Sequence, residues 1–144
     1  MLREYSMNTT HCIFCNIITK SIPSYIVYED DMCIGFLDIA PITKGHTLLV
    51  PKVHCSNILD FDLHYSESVM HGLQIVSNAI TKALSVEGIQ ILQNNGSGAG
   101  QMVFHIHWHI IPRYADDGLN HWQGKATPHK AELQGIADSI ISNL

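Results

Sequence analysis

Residues 103–111 read Val-Phe-His-Ile-His-Trp-His-Ile-Ile, so that His105, His107 and His109 alternate with Phe104, Ile106, Trp108 and Ile110. In a strand alternate side chains share a face, which predicts three imidazoles in a row roughly 6.5–7 Å apart, with an apolar row behind them. Imidazoles are costlier to bury than Val or Thr and titrate near neutral pH, so three in register point to chemistry rather than packing. Two chemistries fit the spacing. A His-x-His strand aims two nitrogens at one metal ion. Alternatively, a neutral imidazole attacks phosphorus while a second, protonated one steadies phosphoryl oxygens or protonates a leaving group. The segment just ahead favours phosphorus: Asn94-Asn95-Gly96-Ser97-Gly98-Ala99-Gly100-Gln101 offers amide and hydroxyl donors, and its glycines let backbone N–H groups approach an anion. Together they read as nucleotidyl transfer to histidine.

A second candidate lies near the start, where Cys12-x-x-Cys15 has the spacing of half a tetrahedral zinc site. A redox dithiol fits less well, because no thioredoxin-like strand precedes the pair. Cys33 is read as a core residue. His11, His64, His71, His121 and His129 lie on the arm, the helix or polar segments, where solvated imidazole is ordinary, and they are assigned no role. Arg113 is compatible with a structural ion pair.

The elements that must position these residues follow from periodicity. Strand-like runs occur at Tyr25–Glu29, Met32–Asp38, His46–Pro51, Ile89–Asn94 and Val103–Ile111. From about His64 to Ser85, Val69, Met70, Leu73, Val76, Ile80, Ala83 and Leu84 recur at helical steps, with Gly88 as a stop signal. Thr127-Pro128 suits the start of a shorter helix carrying Leu133, Ile136, Ile140 and Ile141. Asp30-Asp31 is too short for a parallel crossover, so the reading is α+β: an antiparallel five-stranded sheet with one long and one C-terminal helix. In the second strand Ile34, Phe36 and Asp38 share a face, an apolar wall that ends in a hydrogen-bond acceptor.

The chain has 144 residues, the length of one domain, with 46% hydrophobic and 15% charged residues. We expect an arm at 1–11, a core domain at 12–114, and a C-terminal segment at 115–144 whose helix packs on the same domain. Eight Lys+Arg against thirteen Asp+Glu give a net charge of -5, and no basic stripe exists to neutralise phosphates, which argues against a long nucleic acid. Arg3 and Glu4 interrupt the opening residues where a signal peptide would be apolar, and no run reaches a membrane span, so a cytoplasmic protein with reduced thiols is expected.

His105-Ile-His107-Trp-His109-Ile-Ile resembles the signature of the histidine triad family. So do Cys12-Ile-Phe-Cys15-Asn-Ile-Ile, Ser21-Ile-Pro-Ser24, Tyr28-Glu-Asp, Phe36-Leu-Asp38-Ile39, Lys44-Gly-His46-Thr-Leu, Pro51-Lys-Val-His54, Asn94 to Gln101 and Ile111-Pro-Arg113, in the manner of bacterial-type members related to the nucleoside phosphoramidases. The resemblance covers roughly residues 12–114. It implies a homodimer around an antiparallel sheet and hydrolysis or transfer at the α-phosphate of purine nucleotides, with a nucleotide-binding module of little turnover as the alternative. It also implies roles: His107 as nucleophile, His109 and His46 on phosphate oxygens, and Asp38 on the ribose hydroxyls. Phe14, Ile17, Phe36 and Ile39 form a base slot, and Asn94, Gly100 and Gln101 lie near the phosphate and leaving group. Some members complete a structural zinc site with a His after Pro-Lys and the first triad His, which here are His54 and His105 beside Cys12 and Cys15; Cys55 is a weaker substitute. Met102 departs from the pattern, standing where the phosphoramidases carry a small hydroxyl residue. In some relatives a C-terminal segment reaches the partner's pocket, a role Trp122 would take here.

Overall fold

The structure, a computed structural model, describes residues 11–120 and 128–144. In chain order it contains α1 (Ile13–Ile18), β1 (Ile26–Glu29), β2 (Cys33–Leu37), β3 (Thr47–Pro51), a 3-10 turn (Leu63–Tyr65) that leads into α2 (Ser66–Leu84), β4 (Gly88–Leu92), a second 3-10 turn (Ser97–Ala99), β5 (Trp108–Arg113) and α3 (Lys130–Ile141). The five strands form one sheet in the order β1-β2-β3-β5-β4, and every neighbouring pair is antiparallel. The expected α+β class and sheet are therefore present.

Alternation sorts the sheet into two faces. Cys33, Leu49 and Ile110 point at α2, which returns Val69, Leu73, Val76 and Ile80 along one stripe. Ile34, Phe36, Leu48 and Val50 point the other way and pack with Phe14 and Ile17 of α1. Register carries this division into the histidine segment. Phe36 pairs with Leu48, and Leu48 pairs with His109, so one row across three strands runs from an apolar wall to an imidazole. A slip of one residue would send the row to the α2 face.

Two points differ from the reading of the sequence. First, the strand holding the histidines starts at Trp108 rather than Val103, leaving His105 and His107 ahead of it. On the β3 side the ladder stops where Leu49 meets Trp108, because Pro51 lacks an N–H and its carbonyl accepts from the His105 ring instead, Nε2 to O 2.8 Å. His105 and Ile106 are consequently both fully buried, with Phe104 half exposed, so the strict in-and-out alternation does not hold there. Second, α1 had no signal in the periodicity. Six residues are too few to show one, and the helix is started by a thiol, Cys12 Sγ accepting from the Cys15 N–H at 3.5 Å. Helix α3 buries none of its residues in the single chain: Leu133, Ile136, Ile140 and Ile141 all stay exposed. It begins at Lys130 with His129 in the cap position, while Thr127 lies outside the described residues.

The end of α2 is not set by Gly88. Ser85 takes a left-handed conformation, φ 50°, and closes the last turn with its N–H on the Thr81 carbonyl. Leu84, just before, packs over Gly45, where φ is +90° and an added Cβ would overlap Leu84 Cδ1. Gly45→Ala therefore combines a left-handed strain with a steric clash, for an expected loss of about 2 kcal/mol and roughly 5 °C in Tm. A thermal melt within a degree of wild type would contradict this account of the turn before His46.

Candidate functional site

The cavity on the α1 face of the sheet has a volume of about 390 Å³. Phe14 and Ile17 from α1, Phe36 from β2, Asp38 and Ile39 just beyond it, Gly100 from the glycine loop, and His107 and His109 all line it. Eight of the residues singled out from sequence thus converge on one space. Ile22, Leu48, Ser24 and Met102 line it as well. Leu48 was legible once Phe36 was, being its cross-strand partner, whereas nothing local marked Ile22 or Ser24.

Hydrogen bonds fix the protonation of each imidazole near this cavity. His107 Nδ1 lies 2.7 Å from the carbonyl of His105, so Nδ1 carries the proton and Nε2 keeps its lone pair. His46 Nδ1 accepts from the Ile42 N–H at 3.1 Å, which places the His46 proton on Nε2, and that proton is donated to His109 Nδ1 at 2.9 Å. His109 is then left with a proton on its own Nε2. The result is one ring that offers a lone pair beside another that offers an N–H, their centroids 4.9 Å apart.

Burial holds these rings neutral. It pushes His107 and His46 below the ordinary histidine value, with Asp38 opposing the shift in both. His109 is pushed down to about 4 by burial, then by His107 and His46 beside it. Asp38 Oδ1 accepts from the Ala40 N–H at 2.8 Å, and Oδ2 lies 3.7 Å from His46 Nε2, close enough to bias the pair without a hydrogen bond.

The glycine loop is organised differently from the expected phosphate cradle. Gly96 and Gly100 have φ of +87° and +84°, which favour glycine. The N–H groups of Ala99, Gly100 and Gln101 are bonded to carbonyls within the loop, and that of Gly96 to Gln101 Oε1 at 2.7 Å. Gln101 Nε2 donates to Ser56 O at 2.6 Å and Val103 O at 3.0 Å. Its buried amide holds the loop. Asn94 does not line the cavity; its amide sits behind Gly100.

A second cluster lies beyond His107. The donor atoms of Cys12, Cys15, His54 and His105 all fall within 4.8 Å of one another. His54 Nδ1 is 3.2 Å from His105 Nδ1 and 3.3 Å from Cys15 Sγ, and His105 Nδ1 is 3.5 Å from each sulfur. Tetrahedral bonds of about 2.0–2.3 Å to a single ion would put nitrogens roughly 3.3 Å apart and nitrogen and sulfur roughly 3.6 Å apart, so the observed spacing fits a metal. The ring of His105 is prepared for it, since donating Nε2–H to Pro51 leaves Nδ1 unprotonated. Without a cation, burial and the neighbouring Cys12 push the Cys15 thiol up to about 12. Cys55 stands outside the cluster; its carbonyl accepts from Ile106 N–H at 2.8 Å and fixes the histidine segment. Cys33 is fully buried among core residues.

Arg113 grips Asp117 with Nε and Nη2 at 2.6 and 2.9 Å and also reaches Gln90 and the Leu119 carbonyl, a structural clasp at the end of β5. His64 and His71 lie on the α2 side, His11 and His129 are exposed, and His121 and Trp122 fall outside the described residues.

Residues 19–116 match the model of the HIT domain. The chain belongs to the HIT family. Among relatives of this HIT chain, adenosine 5'-monophosphoramidase hnt1 of Schizosaccharomyces pombe is 42% identical over 134 residues, covering 92% of this chain and 98% of that protein. Adenylylsulfatase HINT3 of Arabidopsis thaliana is 36% identical over 140 residues, covering 96% and 70%. The crystal structure of a HIT family member from Bacillus subtilis superposes with a TM-score of 0.87 at 42% identity, covering 93% of this chain and 97% of that one. A Zn-bound histidine triad protein from Mycobacterium smegmatis gives 0.67 at 32% identity, covering 94% and 99%. Among the described residues no helix is long and apolar enough to cross a membrane.

The neutral pair has a measurable signature. The imidazole nitrogens of His46 and His109, followed by NMR, should titrate below 6.5, with His109 near 4. Because both folded values lie below the roughly 6.5 of the unfolded chain, their contribution to stability is complete above about pH 6.5 and is lost as pH falls from there. Titration of His109 at 6.5 or above would contradict the arrangement.

Proposed function

We propose that the chain hydrolyses or transfers nucleotides at the α-phosphate, acting on purine nucleotide phosphoramidates or dinucleoside polyphosphates through a nucleotidyl-His107 intermediate. The observation that carries this reading is the tautomer of His107, whose Nδ1–H is held by the His105 carbonyl while the opposite nitrogen keeps its lone pair in a ring that lines the cavity. The base lies against Phe14, Ile17, Phe36 and Ile39, and the ribose hydroxyls donate to Asp38. His107 Nε2 attacks phosphorus, a P–N bond forms, and the bond to the leaving group breaks. The positive charge then shared over the ring is steadied by the His105 carbonyl. The N–H of His109, backed by His46, donates a hydrogen bond to the phosphoryl oxygens and keeps its proton, while the leaving group takes its proton from water. Met102 has no hydroxyl to give, so no side chain at that position passes a proton to the leaving group. Water then displaces Nε2 from phosphorus as a P–O bond forms and the P–N bond breaks, its proton passing to solvent, and the free ring is restored. The names of the phosphoramidase and adenylylsulfatase relatives support adenosine nucleotides as the substrate class.

We further assign the four-donor cluster to structural zinc. Two thiolates and two imidazoles are its preferred set, all four positions are filled by protein, and a relative is Zn-bound. When bound, the ion supplies cross-linking of α1, the segment after β3 and the histidine segment. We also assign a homodimer, since α2 keeps Met70 and Ile75 exposed off its buried stripe, and a cytoplasmic setting.

His107→Ala removes the attacking nitrogen while leaving the base wall in place. Turnover should fall by several orders of magnitude with nucleotide binding retained. Rapidly quenched wild type should yield a nucleotidyl-protein adduct by mass spectrometry. A loss of only a few-fold sinks the covalent mechanism, and an absence of any adduct or turnover with phosphoramidates, dinucleoside polyphosphates and adenylylsulfate favours the binding module. Elemental analysis should find one zinc per chain in wild type and little in Cys15→Ala, which should melt far lower. Metal-free wild type, or a variant that melts normally, refutes the zinc assignment. Sedimentation at micromolar concentration should show a dimer, and a monomer there counts against it.

A further inference from the structure

Helix α1 belongs to both sites at once. Its six residues are too few to sustain a helix unaided. What holds it is the cap from Cys12 Sγ, the N–H groups of Ser21 and Ile22 closing on the Asn16 carbonyl at 2.8 and 3.1 Å, and its side chains. Those side chains divide by task. Cys12 and Cys15 join the four-donor cluster, while Phe14 and Ile17, both 6% exposed, form part of the cavity wall. Phe14 is the joint between them. Its ring stands edge-on to His107 at 5.0 Å, to Phe36 at 5.5 Å and to His105 at 6.0 Å. Two of the four metal donors are thus anchored on the same turn and a half of helix as the base wall.

Phe14 packs against the ring of the nucleophile, but the hydrogen bond that sets its tautomer comes from outside that turn. The His105 carbonyl that orients His107 is kept in place by Ile106 N–H on Cys55 O and by the His105 ring on Pro51 O, at 2.8 Å each, neither involving α1. Displacing α1 therefore opens the base slot without changing the tautomer of His107.

We propose that the metal held by Cys12 and Cys15 positions Phe14 and Ile17 through α1, so that metal occupancy sets nucleotide affinity and bound nucleotide tightens the metal in return. Cys12 acts here as a positioning residue, capping and tethering the helix without touching substrate. The inference rests on the nucleotide reading above and adds the linkage. Linkage of this kind is reciprocal: one coupling factor governs both affinities.

The test uses the full chain with AMP and zinc as probes, at a temperature where far-UV circular dichroism shows the metal-stripped chain folded. Calorimetric titration should give an AMP Kd weaker in the stripped form by on the order of tenfold, and competition with a chromophoric chelator should show zinc held tighter by the same factor at saturating AMP. In turnover the stripped form should show a raised KM with kcat changed by no more than about twofold. Cys12→Asp, which keeps both an acceptor for the cap and a metal donor, should retain most of the AMP affinity that Cys12→Ala loses. Phe14→Leu, which leaves all four donors, should keep zinc but lose most of its response to AMP. Equal AMP affinity with and without zinc overturns the linkage. So does an undiminished response in Phe14→Leu, or a stripped chain that is unfolded at every temperature, since the link would then run by another route or through global folding. AMP binding to neither form instead refutes the nucleotide reading itself.

Discussion

A fully buried imidazole has two nitrogens and no water to satisfy them, and around His105 that constraint organises the molecule. One nitrogen donates to Pro51 and the other faces His54, Cys12 and Cys15. Leaving either unpaired would cost about 1–3 kcal/mol. Meeting both demands draws together the end of β3, the segment after it and the helix near the N-terminus. The same residue's carbonyl then settles which nitrogen of His107 holds its proton. The first histidine of the triad is thus a structural keystone whose backbone serves the second.

The sheet makes this economical. Because Phe36, Leu48 and His109 lie side by side across β2, β3 and β5, a single register decision places an apolar wall, a packing residue and an imidazole on one surface. The opposite surface is left wholly to α2. Chemistry and core therefore occupy different faces of one layer, and substitutions along the α2 stripe act on the site only through stability.

How far the sequence reveals this depends on whether a residue's neighbours are set by spacing or by chain crossing. His109, the Phe36-to-Asp38 wall and the long helix are periodic, and periodicity places them, whereas His105 and His107 lie ahead of the strand and are set by Pro51 and Cys55. Gln101 and the glycine loop show the opposite case: their composition suggests an anion cradle, while the N–H groups of Gly96, Ala99, Gly100 and Gln101 and the Gln101 amide bond to Gly96, Ser97, Ser56 and Val103 carbonyls and to the loop's own side chain, partners that no local pattern reveals. Helix α1 was hidden for a related reason, since a thiol cap and two apolar side chains carry no statistical weight over six residues. The histidine strand was overextended because alternation continues in sequence past the point where Pro51 ends the ladder.

The chain of contacts from Ile42 through His46 to His109 has a direction. It starts at a peptide N–H, a group that gives a hydrogen bond and never accepts one, so the two imidazoles behind it cannot reverse their tautomers while the bond lasts. The pair is a fixed dipole rather than a wire: its positive end is always presented outward, and no proton can be drained inward through His46. His109 therefore acts through a hydrogen bond whose proton it keeps, and any proton the reaction consumes comes from the reacting species or from water.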